Sequence, residues 1–112
     1  METITIKDFG VDVNVAKETY SVPEWLAFKV YIEYAEKRGE KFEGYDTRVC
    51  AILSETEKAY KVALGTPIKY VIGWCSKKFI IVDEDPAPGD ETRICDYEKF
   101  REVCKAYSGF FG

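Results

Sequence analysis

The 112-residue chain contains no histidine. The commonest general acid or base, the group that orients most serine and cysteine nucleophiles, and the usual transition-metal ligand are therefore missing together. No GxxxxGK[ST], GxGxxG, HExxH or GxSxG occurs either, so phosphate cradles, dinucleotide folds, zinc hydrolysis and the hydrolase elbow lack a basis in the sequence. Catalysis by two carboxylates in differing environments stays chemically open, but no such pair is marked. The expectation is a protein that is not an enzyme, with no catalytic residue, no cofactor and no bound metal.

Long apolar runs are also lacking. CAIL at 50–53 and FIIV at 79–82 fall far short of the roughly 18 residues that a membrane-spanning helix needs. The first ten residues, METITIKDFG, lack the basic and apolar regions of a signal peptide. These absences lead us to expect a cytoplasmic protein with no membrane association. Excess positive charge is missing as well: 16 Lys and Arg stand against 20 Asp and Glu, a net charge of −4, which opposes bulk attraction to nucleic acid or anionic lipid. Residues 46–78 are the exception, because Arg48, Lys58, Lys61, Lys69, Lys77 and Lys78 outnumber Asp46, Glu55 and Glu57 there.

Cysteine is present but not in metal-binding order. Cys50, Cys75, Cys95 and Cys104 include no close pair, and structural zinc sites draw ligands from such pairs. Buried free thiols are expected. A bridge between Cys95 and Cys104, or one involving Cys50 and Cys75, stays open, since intracellular disulfides do occur in hyperthermophiles.

What is present, 46% apolar and 15% aromatic residues, suffices for one core in one domain spanning 1–112. Alternation of Ile4 and Ile6, and of Val11, Val13 and Val15, predicts a hairpin from 2–7 and 11–16. The DFG at Asp8–Gly10 reads as its turn, since nothing else of a kinase accompanies it. Ser21 and Glu24 fit a capping box, Pro23 suits a first turn and Gly39 a left-handed stop, which predicts a helix over 22–38. Lys29, Glu33, Glu36, Lys37 and Glu40 form a narrow polar stripe on it, while Phe28, Tyr31, Ile32, Tyr34 and Ala35 cover most of the rest. Such a helix needs cover on more than one side. Either a sheet and a second helix embrace it, or part of its aromatic face meets a partner.

Strands are expected at about 47–53, 58–64, 68–74 and 79–83. If 58–64 and 68–74 pair symmetrically, Tyr60, Val62, Leu64, Ile68, Tyr70, Ile72 and Trp74 share an inner face, Lys61 and Lys69 share the outer one, and Lys58 lies across from Trp74. Asp96 can cap a last helix from 97 to about 107. The fold class expected is α+β, a curved antiparallel sheet of five to six strands with one long helix packed on it and a C-terminal helix.

Two surfaces follow as candidate sites. One is a protein-binding surface of Tyr31 and Tyr34 on the helix, the acids Asp83, Glu84 and Asp85, and Phe110 and Phe111 of the tail, which have no place in the helical period. The acidic stretch through Asp90 and Glu91 fits no cation-binding loop, so a solvated turn, or a patch that docks a basic partner, is the reading. The alternative is a nucleic-acid contact through Arg48, Lys61, Lys69, Lys77 and Lys78. Lysines that keep a sheet from pairing with another chain explain the same residues, and the symmetric register turns the aromatics away from them.

ETEKAYKVAL followed by KYVIGWCSKKFI resembles a hairpin of small proteins of bacteriophages and mobile elements, in which a Glu-Lys-Ala strand precedes one ending in Trp-Ile-Pro-Lys-Ser-Xaa-Ile. Glu57, Lys58, Ala59, Trp74, Lys77 and Ile80 match, whereas Cys75, Ser76 and Lys78 depart from the pattern. The resemblance covers about a quarter of the chain and implies a fold element and a phage-like origin. Together these readings lead to the expectation of a small non-enzymatic protein that binds another protein, such as an inhibitor of a host defence complex.

Overall fold

A computed structural model describes residues 2–6, 11–84 and 92–111, with the side chains of 2, 4–6, 11 and 108–111 outside that description. The strands β1 (Glu2–Ile6), β2 (Val11–Val15), β3 (Thr19–Ser21), β4 (Arg48–Glu55), β5 (Ala59–Gly65), β6 (Tyr70–Ser76), β7 (Ile81–Asp83) and β8 (Arg93–Ile94) form one sheet. The helices are α1 (Glu24–Arg38) and α2 (Tyr97–Phe111), and a 3-10 turn spans Lys77–Phe79. The α+β class holds. Eight strands replace the five or six expected, and the β4–β8 pair is parallel.

The two extra strands come from a fork. β5 and then β6 line one edge of β4, while its other edge is divided: β3 pairs Val49 and Arg48, and β8 pairs Ala51 and Ile52. β8 is a two-residue wedge between β2 and β4, too short to show an alternating pattern. Thr92, fully buried, sits where the branches separate. Its Oγ1 accepts the Tyr20 N–H at 3.0 Å and donates to the Val49 carbonyl at 3.5 Å, while its own carbonyl accepts the Ala16 N–H at 3.0 Å. Backbone groups that the fork would leave unpaired in the interior are thus satisfied.

The capping box at Ser21 does not form. Ser21 ends β3, where it pairs with Arg48 and Ile81, and α1 begins at Glu24 with Pro23 as its cap residue and no side-chain cap. The stop is as expected: Gly39 adopts φ 65°, and the Glu40 N–H reaches the Ala35 carbonyl at 2.9 Å. Asp96 accepts the Lys99 N–H at 2.8 Å and starts α2, which continues past the expected end at 107 to Phe111.

Each face of the sheet has its own helix. α1 packs Leu26, Ala27 and Val30 with Val22, Val49, Ile52, Val62, Leu64, Val71 and Cys75. On the opposite face Phe100 of α2 joins Cys50, Ala51, Leu53 and Ala63, and meets Tyr70 edge-on at 4.8 Å.

That division corrects the expected β5–β6 register. Lys61 pairs with Trp74, Val62 with Gly73 and Leu64 with Val71. Trp74 thus meets Lys61 rather than Lys58, a shift of three residues along β5, and an odd shift sends every side chain of β6 to the other face. Trp74, expected inward opposite Lys58, is 51% exposed beside Lys61 instead. The same geometry rules out a Cys50–Cys75 bridge, because Cys75 lies in the α1 cluster and Cys50 in the α2 cluster. All four cysteines are free thiols.

Candidate partner-binding surface

Lys29 belongs to the exposed stripe of α1, and Trp25 stands one turn before it, so a 3.6-residue period turns Trp25 outward as well. Trp25 is 54% exposed and Phe28, at the adjoining position, 44%. Their rings are not isolated. The ring of Phe79, from the 3-10 turn after β6, meets Trp25 edge-on with centroids 4.9 Å apart. Phe42 and Tyr45, on the segment that returns from α1 to β4, meet Phe28 edge-on at 5.1 and 5.9 Å. Edge-to-face contacts hold rings in fixed relative orientations. The result is two ring groups, Trp25–Phe79 and Phe28–Phe42–Tyr45, anchored three residues apart on α1 and together forming a ridge of five aromatic side chains.

A cleft of about 540 Å³ adjoins the ridge at the C-terminal end of α1. Tyr31, Tyr34, Tyr45, Tyr70, Asp46 and Lys69 are among its lining residues. The Tyr31 hydroxyl donates to the Leu64 carbonyl at 3.3 Å, and burial, helped by the charge of Asp46, raises its pKa. Tyr34 carries the Arg38 guanidinium over its ring at 5.2 Å and accepts a hydrogen bond from Arg38 Nη1 at 3.0 Å. Two of the residues expected from sequence, Tyr31 and Tyr34, therefore share one cleft. Asp83 ends β7 opposite Thr19 and Glu84 is exposed after it, away from the lining of that cleft. Asp85 and the side chains of Phe110 and Phe111 lie outside the described residues.

The cations of the alternative surface are dispersed. Lys69 occupies the β5–β6 turn and faces Glu43 at 3.7 Å, whereas Lys77 and Lys78 lie beyond the far end of β6. Lys77 binds Glu55 at 2.8 Å and covers the Tyr60 ring at 4.8 Å, and Lys78 covers Phe79 at 4.9 Å. Arg48 begins β4, and Lys61 is on the α2 side beside Trp74.

The thiols are chemically quiet. Burial pushes Cys50 from 9.0 up to about 12, and Cys75 and Cys95 up to about 11, far from the lowered values of reactive cysteines. Among the described residues no group of three His, Cys, Asp or Glu is placed to hold a metal ion, and no helix is long and apolar enough to cross a membrane.

Sequence reasoning missed Trp25, Phe42, Tyr45 and Phe79. The one signal available was the position of Trp25 a turn before Lys29; the other rings come together only through tertiary packing. No family model matches the chain, and neither a curated protein nor a solved structure does.

Proposed function

We propose that this protein acts by binding another protein through the aromatic ridge on α1. The observation that carries the reading is a pair of neighbouring ring groups, Trp25 with Phe79 and Phe28 with Phe42 and Tyr45, four of whose rings are 36 to 54% exposed. Aromatic side chains are enriched at interface hot spots because they supply large contact areas at low conformational cost. A contiguous apolar patch rimmed by charge is how such sites look on a free protein. The ridge accounts for the aromatic surplus of α1, which the sheet alone does not cover.

The partner we propose is a component of a host defence complex, with this chain as an inhibitor of phage or mobile-element origin. The hairpin resemblance supports this part, since Glu57–Ala59 lead into β5 and Trp74 lies within β6, the two strands of one hairpin.

Affinity capture from host cells with the wild-type chain and a Trp25→Ser/Phe28→Ser variant in parallel tests the proposal. A protein retained by the first and absent from the second is the expected result; equal retention on both overturns it. The nucleic-acid reading makes a different prediction, an affinity for single or double strands that falls steeply with added salt. The pairing of half-buried Lys61 with exposed Trp74 is the observation that favours it.

A further inference from the structure

Among the described residues the sheet ends in three outer strands, β1, β7 and β6. Outer strands present unpaired backbone N–H and C=O groups, and proteins shield them by shortness, charge, proline or bulges. β7 is three residues long and β1 begins with Glu2. β6 differs. Its sequence YVIGWCS has no charge and no proline, and its seven pairs with β5 run without a shift. Among the described residues its only strand partner is β5. Gly73 stays partly exposed although Val30 covers one side of it, and Trp74 is half-exposed beside it.

We infer that β6 is an acceptor edge for an extended segment of a partner protein that carries acidic residues at both ends. The lysines specify the occupant. Lys69 precedes the strand and Lys77 and Lys78 follow it, a separation of about 27 Å for an extended chain. A second copy pairing antiparallel about Gly73 would set Lys69 against the Lys77–Lys78 end of its neighbour, where exposed Lys78 adds a like charge that repels it. A segment with a carboxylate at each end meets those lysines with opposite charge. The Lys69–Glu43 contact of 3.7 Å joins two largely exposed side chains, so it yields readily to a better-placed acid. Lys77 is engaged by Glu55, which leaves exposed Lys78 as the cation at that end. Main-chain bonds of strand addition supply affinity, and side chains on the Trp74 face supply selectivity. This inference rests on the protein-binding reading but uses residues separate from the Trp25–Phe28 ridge.

The probe is a synthetic peptide of alternating Thr and Val, matched to β6 in length and closed by Glu at both ends. Controls are the same peptide closed by Lys and one with a central Pro. The reporter is Trp74 emission in a Trp25→Phe background, which leaves one tryptophan. The expected result is a saturable blue shift, with the Glu-ended peptide binding about tenfold more tightly than the Lys-ended one and the Pro peptide not binding. Lys69→Glu should narrow that difference. Equal binding of Glu- and Lys-ended peptides, no shift with either, or a dimer in sedimentation that Trp74→Lys abolishes would each overturn the inference. Failure here leaves the ridge reading standing, because capture that depends on Trp25 and Phe28 is read independently of β6.

Discussion

Gly73 lies directly beneath Val30. A Cβ built on Gly73 would sit 2.7 Å from Val30 Cγ1 and 3.3 Å from Cγ2, so α1 approaches β6 as closely as it does only because that position has no side chain. Gly73→Ala is expected to cost about 1–3 kcal/mol by overpacking. In a Val30→Ala background the same change should cost much less, since contacting sites couple. A double-mutant cycle on urea midpoints checks this; additive costs would contradict it.

The fork at Thr92 gives a second prediction. Thr92→Val keeps the shape but leaves the Tyr20 N–H without its acceptor at a part-buried site, an expected loss of about 1–3 kcal/mol. Thr92→Ser should restore most of it. Chemical denaturation of the three chains decides, and equal stability of the Val and Thr proteins would show that the fork needs no clamp.

Stability should be lost at alkaline pH. Burial pushes the Tyr20 and Tyr70 hydroxyls from 10.0 up to about 12, with the Glu18 carboxylate adding to the first, and raises the Cys50 thiol from 9.0 to about 12. For groups whose folded pKa is raised, the neutral form is favoured by folding. Their contribution is complete below the unfolded values near 9 and 10 and disappears as pH rises through the folded ones. The urea midpoint should therefore fall between about pH 9 and pH 12. A midpoint constant to pH 11 would contradict the burial of these groups.

What the sequence made legible was whatever local chemistry determines. Gly39 ends α1 and Asp96 caps α2 because each signal acts within a single turn. β3 and β8 were hidden because their three and two residues pair with strands distant in sequence and carry no periodic signature. The sequence stretch Ser21–Glu24 resembled a capping box, but Ser21 was claimed by the sheet. Trp74 was misplaced by register parity alone: the turn bonds Thr66 N–H to the Lys69 carbonyl and Lys69 N–H to Thr66 Oγ1, which fixes a loop length that composition does not reveal. Of the candidate site, Tyr31 and Tyr34 were legible as surplus helix aromatics. Phe42, Tyr45 and Phe79 were not, since they reach the ridge from separate connections.

A surface role for the ridge separates its energetics from those of the core. Trp25→Ser with Phe28→Ser should lower stability by only about 1–2 kcal/mol, from the loss of edge contacts. Phe100→Ala, which empties a fully buried site, should cost about 3–5 kcal/mol. Thermal unfolding of both variants checks the order; a ridge variant as unstable as Phe100→Ala would mean that the rings are core.

The most direct test of the protein-binding account is the affinity of the captured partner for the wild-type chain and for Trp25→Ala, measured by titration calorimetry on folded proteins. The account predicts a loss of about 2 kcal/mol or more, close to thirtyfold in Kd. An unchanged Kd would contradict it.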